Sequence, residues 1–143
     1  MSKIAVVYWS GTGNTESMAD AVAQGAKDKG AEVKLFTPDS FNSSMVDEFD
    51  AIAFGCPAMG AEELEESEFE PMFSDCESKL GGKKIALFGS YGWGDGEWMR
   101  DWEARMMAAG AEVVGGEGVI CHETPDEEGL EACRELGEKL ANA

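Results

Sequence analysis

The chain has 143 residues, 43% of them hydrophobic, which fits one globular domain with its own core and argues against intrinsic disorder. Eleven Lys and Arg residues stand against 29 Asp and Glu residues, so the formal net charge is −18 at pH 7. This charge argues against nucleic acid and anionic membranes as partners, because both carry the same sign. It favours a partner with a basic surface, and it favours a monomer.

In chain order, strand patterns alternate with helix patterns. Short, nearly continuous apolar runs predict buried strands at residues 4–9, 33–36, 50–56 and 84–89, and one interrupted fifth strand at 112–114 and 118–121. Apolar residues at helical spacing predict a helix that includes residues 18–26, and further helices at 69–78, 97–109 and 126–140. Five strands interleaved with helices indicate an α/β fold with a parallel sheet covered on both faces.

The cysteines and the single histidine do not form a metal-binding pattern. Cys56, Cys76, Cys121 and Cys133 lack the paired spacing of a zinc site, and His122 is expected to have a structural or surface role. No apolar run approaches the roughly 20 residues of a membrane span, and the first residues do not resemble a signal peptide. We therefore expect a cytoplasmic protein with reduced, buried thiols.

Residues 10–15, Ser-Gly-Thr-Gly-Asn-Thr, join the end of the first predicted strand to the start of a helix. This composition suits a phosphate group. The first turn of a helix has free N–H groups, the glycines expose the backbone, and the hydroxyl and amide side chains add further donors. The loop lacks the Gly-Lys-Ser/Thr ending of nucleotide triphosphatases, the third glycine of dinucleotide-binding loops and a cysteine nucleophile. The alternative is an ordinary turn capped by Thr or Asn.

Two further loops follow the third and fourth predicted strands, at residues 58–62 and 90–96. In a parallel sheet these loops and the first one meet at the carboxyl edge, where ligands bind. Met59 offers a polarisable apolar surface, and Tyr91 and Trp93 lie among three glycines, which indicates a loop rather than a strand. Stacking on a planar ligand would cover both aromatic rings, and packing onto neighbouring helices is the alternative.

Together, the three loops resemble those of the flavodoxins. Residues 10–15 match the family's S/T-x-T-G-N-T phosphate signature, and residues 58–60 with the following Glu-Glu-Leu-Glu, and 89–95, match its two flavin-contacting loops. The likeness covers the whole chain as a single domain, 1–143, and is nearest to the short-chain, clostridial type. It implies a three-layer sandwich with a five-stranded parallel sheet in the order 2-1-3-4-5.

The resemblance implies a carrier of single electrons at low potential rather than an enzyme, with non-covalently bound flavin mononucleotide (FMN) that alternates between semiquinone and hydroquinone. The implied phosphate-binding residues are Ser10, Gly11, Thr12, Gly13, Asn14 and Thr15. The implied flavin-binding residues are Pro57, Ala58, Met59, Gly60, Ala61 and Glu62, with Ser90, Tyr91, Gly92, Trp93, Gly94 and Asp95.

The resemblance also implies individual roles. Trp93 would stack on one flavin face, Met59 would cover the other, and Glu62 would meet the pyrimidine edge. The Gly60–Ala61 peptide would turn on reduction, so that the Gly60 carbonyl accepts a hydrogen bond from flavin N5–H. Two residues depart from the family pattern: Pro57 stands where a Ser or Thr is common, and Ala61 where Asp or Asn is common. Because Ala disfavours positive φ, we expect a less stable semiquinone than Gly or Asn at position 61 would give.

Acidic residues border the predicted site beside the second and third loops. Beside the second loop they are Glu62, Glu63, Glu65, Glu66, Glu68 and Glu70, and near the third loop they are Asp95, Glu97 and Asp101. We expect these residues to bind basic patches on flavodoxin reductases and on oxidoreductases that also use ferredoxin; a merely solvated face is the alternative. Trp9, Trp98 and Trp102 are expected to be packing residues.

Two other functions compete with the electron carrier. An FMN-dependent NAD(P)H:quinone or azo-compound reductase on the same fold would need an open substrate pocket, for which the sequence offers no spare loop. A signalling receiver domain would need acidic residues where strands one and three end, and residues 8–10 and 55–57 supply none.

Overall fold

A computed structural model describes residues 2–60 and 62–143. Strands and helices alternate along the chain as the apolar pattern predicts. The strands are β1 (Lys3–Tyr8), β2 (Glu32–Phe36), β3 (Ala51–Gly55), β4 (Lys84–Tyr91), β5 (Glu112–Val113) and β6 (Val119–His122). The helices are α1 (Asn14–Asp28), α2 (Phe69–Glu77), α3 (Glu97–Ala108) and α4 (Glu127–Ala141), with 3-10 turns at Pro38–Ser40 and Ser43–Glu48.

The strands form one parallel sheet in the order β2-β1-β3-β4-β5, which confirms the expected order. The fifth position is shared by two strands: β5 pairs with Lys84 and Ile85 of β4, and β6 pairs with residues 88–91 of the same strand. Gly115 and Gly116, both with φ of 84°, separate the two. The interrupted fifth strand is therefore two strands, and the described sheet has six rather than five.

The end of β4 differs from the sequence prediction. Ser90 and Tyr91 were expected in a loop, but they are the last two residues of the strand. They pair with Cys121 and His122 of β6, so the nearby glycines do not end the strand early. Pairing with a segment some 30 residues further along the chain overrides the local preference for a turn.

Helices cover both faces of the sheet. Alternate residues of β1 point to opposite faces: Ile4 and Val6 pack with α1 and α4, while Ala5 and Val7 pack with α2 and α3. Trp98 and Trp102 are buried on the α2–α3 side, which confirms their predicted packing role. The four cysteines are buried and free, as expected.

Helices α1 and α4 lie so close that glycine is required on both. A Cβ atom on Gly25 would lie 1.9 Å from the Arg134 carbonyl oxygen, and one on Gly137 would lie 2.0 Å from that of Val22. The two glycines therefore allow α4 to pack directly on α1, whose N-terminus follows residues 10–13. Within residues 2–60 and 62–143, each helix is too short or too polar to cross a membrane.

Candidate functional site

A cleft of about 340 Å³ opens beyond the carboxyl ends of β1, β3 and β4, where the sheet order reverses direction. All three loops singled out in the sequence contribute to it. It is lined by Trp9, Gly11, Thr12, Asn14, Pro57, Ala58, Met59, Ser90, Tyr91, Gly92 and Glu123. The other predicted site residues flank these without lining the cleft, and they are Ser10, Gly13, Thr15, Gly60, Glu62, Trp93, Gly94 and Asp95.

The first loop is held in shape by its own groups. The hydroxyl oxygen of Ser10 accepts hydrogen bonds from the backbone N–H groups of Gly13, at 3.1 Å, and Glu16, at 3.2 Å. Gly13 has a φ of 93°, a conformation that favours glycine, and α1 begins at the next residue. Ser10 thus closes the loop, while Gly11, Thr12 and Asn14 face the cleft.

Thr15 fastens the start of α1 to the end of β4. The residue is 1% exposed, and its Oγ1 atom lies 3.0 Å from Oγ of Ser90 in a buried hydrogen bond. The backbone N–H of Ser90 also donates to Thr15 Oγ1, at 3.4 Å. These two hydrogen bonds fix the position of the first loop relative to the third.

The second loop is a tight turn closed by Met59 and Glu63, whose backbone groups exchange two hydrogen bonds of 2.8 Å. Gly60 and Glu62 have φ of 52° and 56°. Ala61 lies outside the described residues, so the turning of the Gly60–Ala61 peptide and the effect of Ala61 stay predictions.

Glu62 connects the second loop to the third. Its Oε1 atom accepts a hydrogen bond of 3.1 Å from the backbone N–H of Glu97, the first residue of α3. The carboxylate lies so close to Gly94 that a Cβ atom there would meet its Cδ atom at 2.5 Å. Glu62 therefore compensates partial positive charge at the start of α3, a role that its place in an acidic run did not indicate.

Glu65 is a buried member of the acidic run. The residue is 6% exposed, and its carboxylate accepts hydrogen bonds from the backbone N–H groups of Ser67, Glu68 and Phe69 and from the Ser67 hydroxyl. Burial acts to raise the pKa of this carboxyl, but the four hydrogen bonds outweigh it and hold the pKa below its ordinary value. Glu65 therefore fixes the loop that leads into α2.

Glu70 also forms hydrogen bonds within the fold. Its carboxylate accepts two hydrogen bonds from the Arg105 guanidinium of α3, at 2.5 and 2.7 Å, and these hydrogen bonds lower the pKa of Glu70. Glu65 and Glu70 were both predicted to belong to a partner-binding face. Burial removes Glu65 from such a face, which corrects the prediction for that residue. Glu70 is partly exposed and paired with Arg105, so its part in partner binding stays a prediction.

The aromatic residues of the third loop differ in exposure. Tyr91 packs its ring on Trp98, with centroids 5.6 Å apart, and on His122, at 5.1 Å. Trp93 is 58% exposed. Tyr91 thus packs onto a helix, as the alternative predicts, and also lines the cleft, so stacking of its ring on a ligand stays a prediction. The Trp93 indole leaves a large apolar surface beside the cleft.

Two residues of the cleft were missed in the sequence. Trp9 was expected only to pack, but it also lines the cleft, and its Nε1–H donates a hydrogen bond of 2.8 Å to Glu68. Its place immediately before the first loop was a signal. Glu123 follows β6 with a φ of 57°, and its backbone N–H donates to the Tyr91 carbonyl at 2.7 Å. Only the pairing of β6 with β4 brings Glu123 to the cleft.

The chemistry of the cleft suits a flat ring that carries a phosphate. Trp9, Met59 and Tyr91 contribute apolar surface to the cleft, and the first loop contributes hydroxyl, amide and backbone donors. Among the described residues that line the cleft, none is Lys or Arg, and Glu123 is the charged one. A bound phosphate would therefore depend on dipoles and neutral donors.

Comparisons with known proteins agree with this geometry. The family model described as Flavodoxin matches residues 6–137. The flavodoxin of Megasphaera elsdenii is 49% identical over 140 residues, covering 98% of this chain and 99% of that protein. The flavodoxin of Clostridium beijerinckii is 49% identical over 137 residues, covering 96% and 98%.

A solved structure agrees as well. The solution structure of two-electron reduced Megasphaera elsdenii flavodoxin superposes with a TM-score of 0.87 at 48% identity, covering 98% of this chain and 99% of that one. Both the sequence match and the structural match extend over nearly the whole chain, including the three loops of the cleft. The chain belongs to the flavodoxin family, and within it to the short-chain type.

Proposed function

We propose that this chain carries single electrons at low potential, through FMN bound non-covalently in the cleft, between redox enzymes with basic surfaces. Its family membership establishes the broader statement that it is an FMN-binding electron-transfer protein that interacts with redox partner enzymes. The observation that carries the narrower proposal is a cation-free phosphate loop and an apolar cleft, next to an exposed indole, in a chain of net charge −18.

The phosphate is assigned to the first loop. Gly11, Thr12 and Asn14 face the cleft, and the N-terminus of α1 begins beside them. Backbone N–H groups of this loop, with the Thr12 hydroxyl and the Asn14 amide, supply the donors at the cleft. Ser10, Gly13 and Thr15 stay assigned to the phosphate site as the residues that shape the loop. Binding without a Lys or Arg leaves the site electrically negative.

The ring is assigned to the space between Met59 and Trp93, with Ala58, Gly60, Gly92 and their neighbours beside it. Covering the exposed Trp93 indole with an aromatic ring removes apolar area from water and adds stacking energy, together about 1–2 kcal/mol. When bound, FMN supplies a ring system that accepts and releases electrons one at a time. Glu62 stays assigned to the ring's pyrimidine edge.

The negative charge of the protein lowers the reduction potential of the bound ring. Glu123 lines the cleft, Glu62 and Glu63 follow its residue Met59 closely in the chain, and the described lining residues include no Lys or Arg. Added negative charge on the ring is repelled by these carboxylates, and more strongly as water is excluded. Electron uptake that creates an anion is thereby pushed to lower potential.

The reductase alternative is not favoured, since the relatives that match nearly the whole chain are named flavodoxin. Purified protein with one equivalent of FMN is expected to show no sustained oxidation of NAD(P)H in the presence of a quinone. Addition of a flavodoxin reductase should start turnover. Steady turnover by the protein alone would contradict the electron-carrier proposal.

Partner binding is assigned to the acidic residues near the second and third loops that stay exposed, namely Glu63, Glu66, Glu68, Asp95, Glu97 and Asp101. We propose that these meet basic patches on reductases and on oxidoreductases that also use ferredoxin, and that the chain acts as a cytoplasmic monomer. A role with nucleic acid or membranes is disfavoured by the net charge.

Electron transfer to a flavodoxin reductase should slow as salt rises, by about tenfold or more between low and high ionic strength. Replacing Glu63, Glu66 and Asp101 by Gln, Gln and Asn should flatten this dependence. Stopped-flow rates measure it, with a small neutral acceptor as the control. A rate indifferent to ionic strength would refute the assignment of the acidic surface.

A further inference from the structure

The residue before the phosphate loop is tied to the segment that leads into α2. The Nε1–H group of Trp9 donates a hydrogen bond of 2.8 Å to Oε2 of Glu68. Trp9 lies at the carboxyl end of β1, and Glu68 immediately precedes α2. The contact joins two segments 59 residues apart in the chain.

The backbone of Glu68 is fixed by hydrogen bonds to neighbouring segments. Its N–H donates a hydrogen bond of 2.8 Å to Oε1 of Glu65, the buried carboxylate. The backbone N–H of Glu65 in turn donates to Sγ of Cys56, at 3.3 Å, just beyond the end of β3. The Glu68 side chain therefore extends from a backbone that hydrogen bonds hold in position, although the residue is exposed.

The indole of Trp9 lies directly against the first loop. A Cβ atom on Gly11 would meet Cη2 of Trp9 at 3.0 Å, so the ring covers the Gly11 backbone at close range. Both residues line the cleft. A shift of the indole would therefore change the space available to the backbone of this loop.

We infer that Glu68 is a positioning residue for the phosphate loop, acting through the Trp9 indole on Gly11. This inference rests on the proposed function, because it needs the phosphate to be bound by residues 10–15. The series of contacts Cys56–Glu65–Glu68–Trp9–Gly11 then couples the segment that leads into α2 to the first loop.

Charge alone predicts the opposite effect from positioning. Glu68 is an exposed carboxylate, so its removal should strengthen the binding of a phosphate dianion if it acts only as a nearby negative charge. If Glu68 orients Trp9, its removal should weaken binding of the phosphate. The sign of the change therefore separates the two roles.

The experiment measures the affinity of the apoprotein for FMN and for riboflavin, which lacks the phosphate, by quenching of flavin fluorescence. E68A is expected to weaken FMN binding about fivefold to tenfold and to leave riboflavin binding within about twofold. E68Q, whose amide oxygen still accepts from the indole, should restore FMN binding. W9F should also weaken FMN binding, and the W9F/E68A double variant should bind FMN little more weakly than W9F alone.

Glu66→Ala is the matched control, because it removes an equal, exposed charge two residues away and, within the described part of the chain, Glu66 makes no side-chain hydrogen bond. Tighter FMN binding by both E66A and E68A would overturn the inference while leaving the proposed function intact. Equal affinity of the unmodified protein for FMN and riboflavin would instead overturn the proposed phosphate site, and the inference with it.

Discussion

Replacing Gly137 by Ala is expected to lower the free energy of unfolding by about 2–4 kcal/mol. The added methyl group would lie 2.0 Å from the Val22 carbonyl oxygen and 2.9 Å from the Ala26 nitrogen, both backbone atoms that cannot turn away. Helices α1 and α4 would have to separate. The gain of about 1 kcal/mol in helix propensity offsets only part of that cost.

Urea denaturation at neutral pH measures the effect. G25A should behave alike, because its methyl group would lie 1.9 Å from the Arg134 carbonyl oxygen across the same interface. Gly81→Ala is the matched control: its methyl group would lie at an ordinary 3.4 Å from the Ala109 carbonyl oxygen, so we expect a change within about 0.5 kcal/mol. Unchanged stability of G137A would contradict the close packing of α1 on α4.

Replacing Glu65 by Ala is expected to cost about 2–3 kcal/mol, and by Gln about half as much. Alanine leaves the N–H groups of Ser67, Glu68 and Phe69 without their acceptor, and that of Phe69 is buried. Gln retains one acceptor oxygen. Because Glu65 organises the segment after the second loop, FMN affinity should fall in parallel.

The contribution of Glu65 should also depend on pH. Its pKa is lowered in the folded protein, so its stabilisation is fully present above the unfolded value near 4.5 and is lost as pH falls through the lower folded value. The difference in unfolding free energy between the unmodified protein and E65Q should therefore be constant from pH 7 to about pH 5 and shrink below that. Glu66→Gln, on the exposed side, is the control. A difference that persists undiminished in acid would contradict this role.

Local patterns in the sequence were sufficient for the layout of the fold. Continuous apolar runs identify the strands that are buried on both faces, and parallel strands must bring the loops after β1, β3 and β4 to one edge. The cleft follows from that placement. The exact ends of the strands could not be predicted in this way, because Ser90 and Tyr91 belong to β4 only through their pairing with β6.

The roles of individual acidic residues could not be read from the sequence. Glu62, Glu65, Glu66 and Glu70 belong to one run of similar residues, yet Glu62 accepts from the start of α3, Glu65 is buried, and Glu70 pairs with Arg105. These differences depend on helices that approach from distant parts of the chain. For the same reason Glu123 was not predicted at the cleft.

The most direct test of the central claim is anaerobic, stepwise reduction of the FMN-loaded protein, followed by visible absorbance against reference dyes of known potential. A carrier of single electrons should take up two electrons in two resolved steps, the second at a much lower potential than the first. Simultaneous uptake of both electrons in one step, with no resolved one-electron couple, would contradict the account.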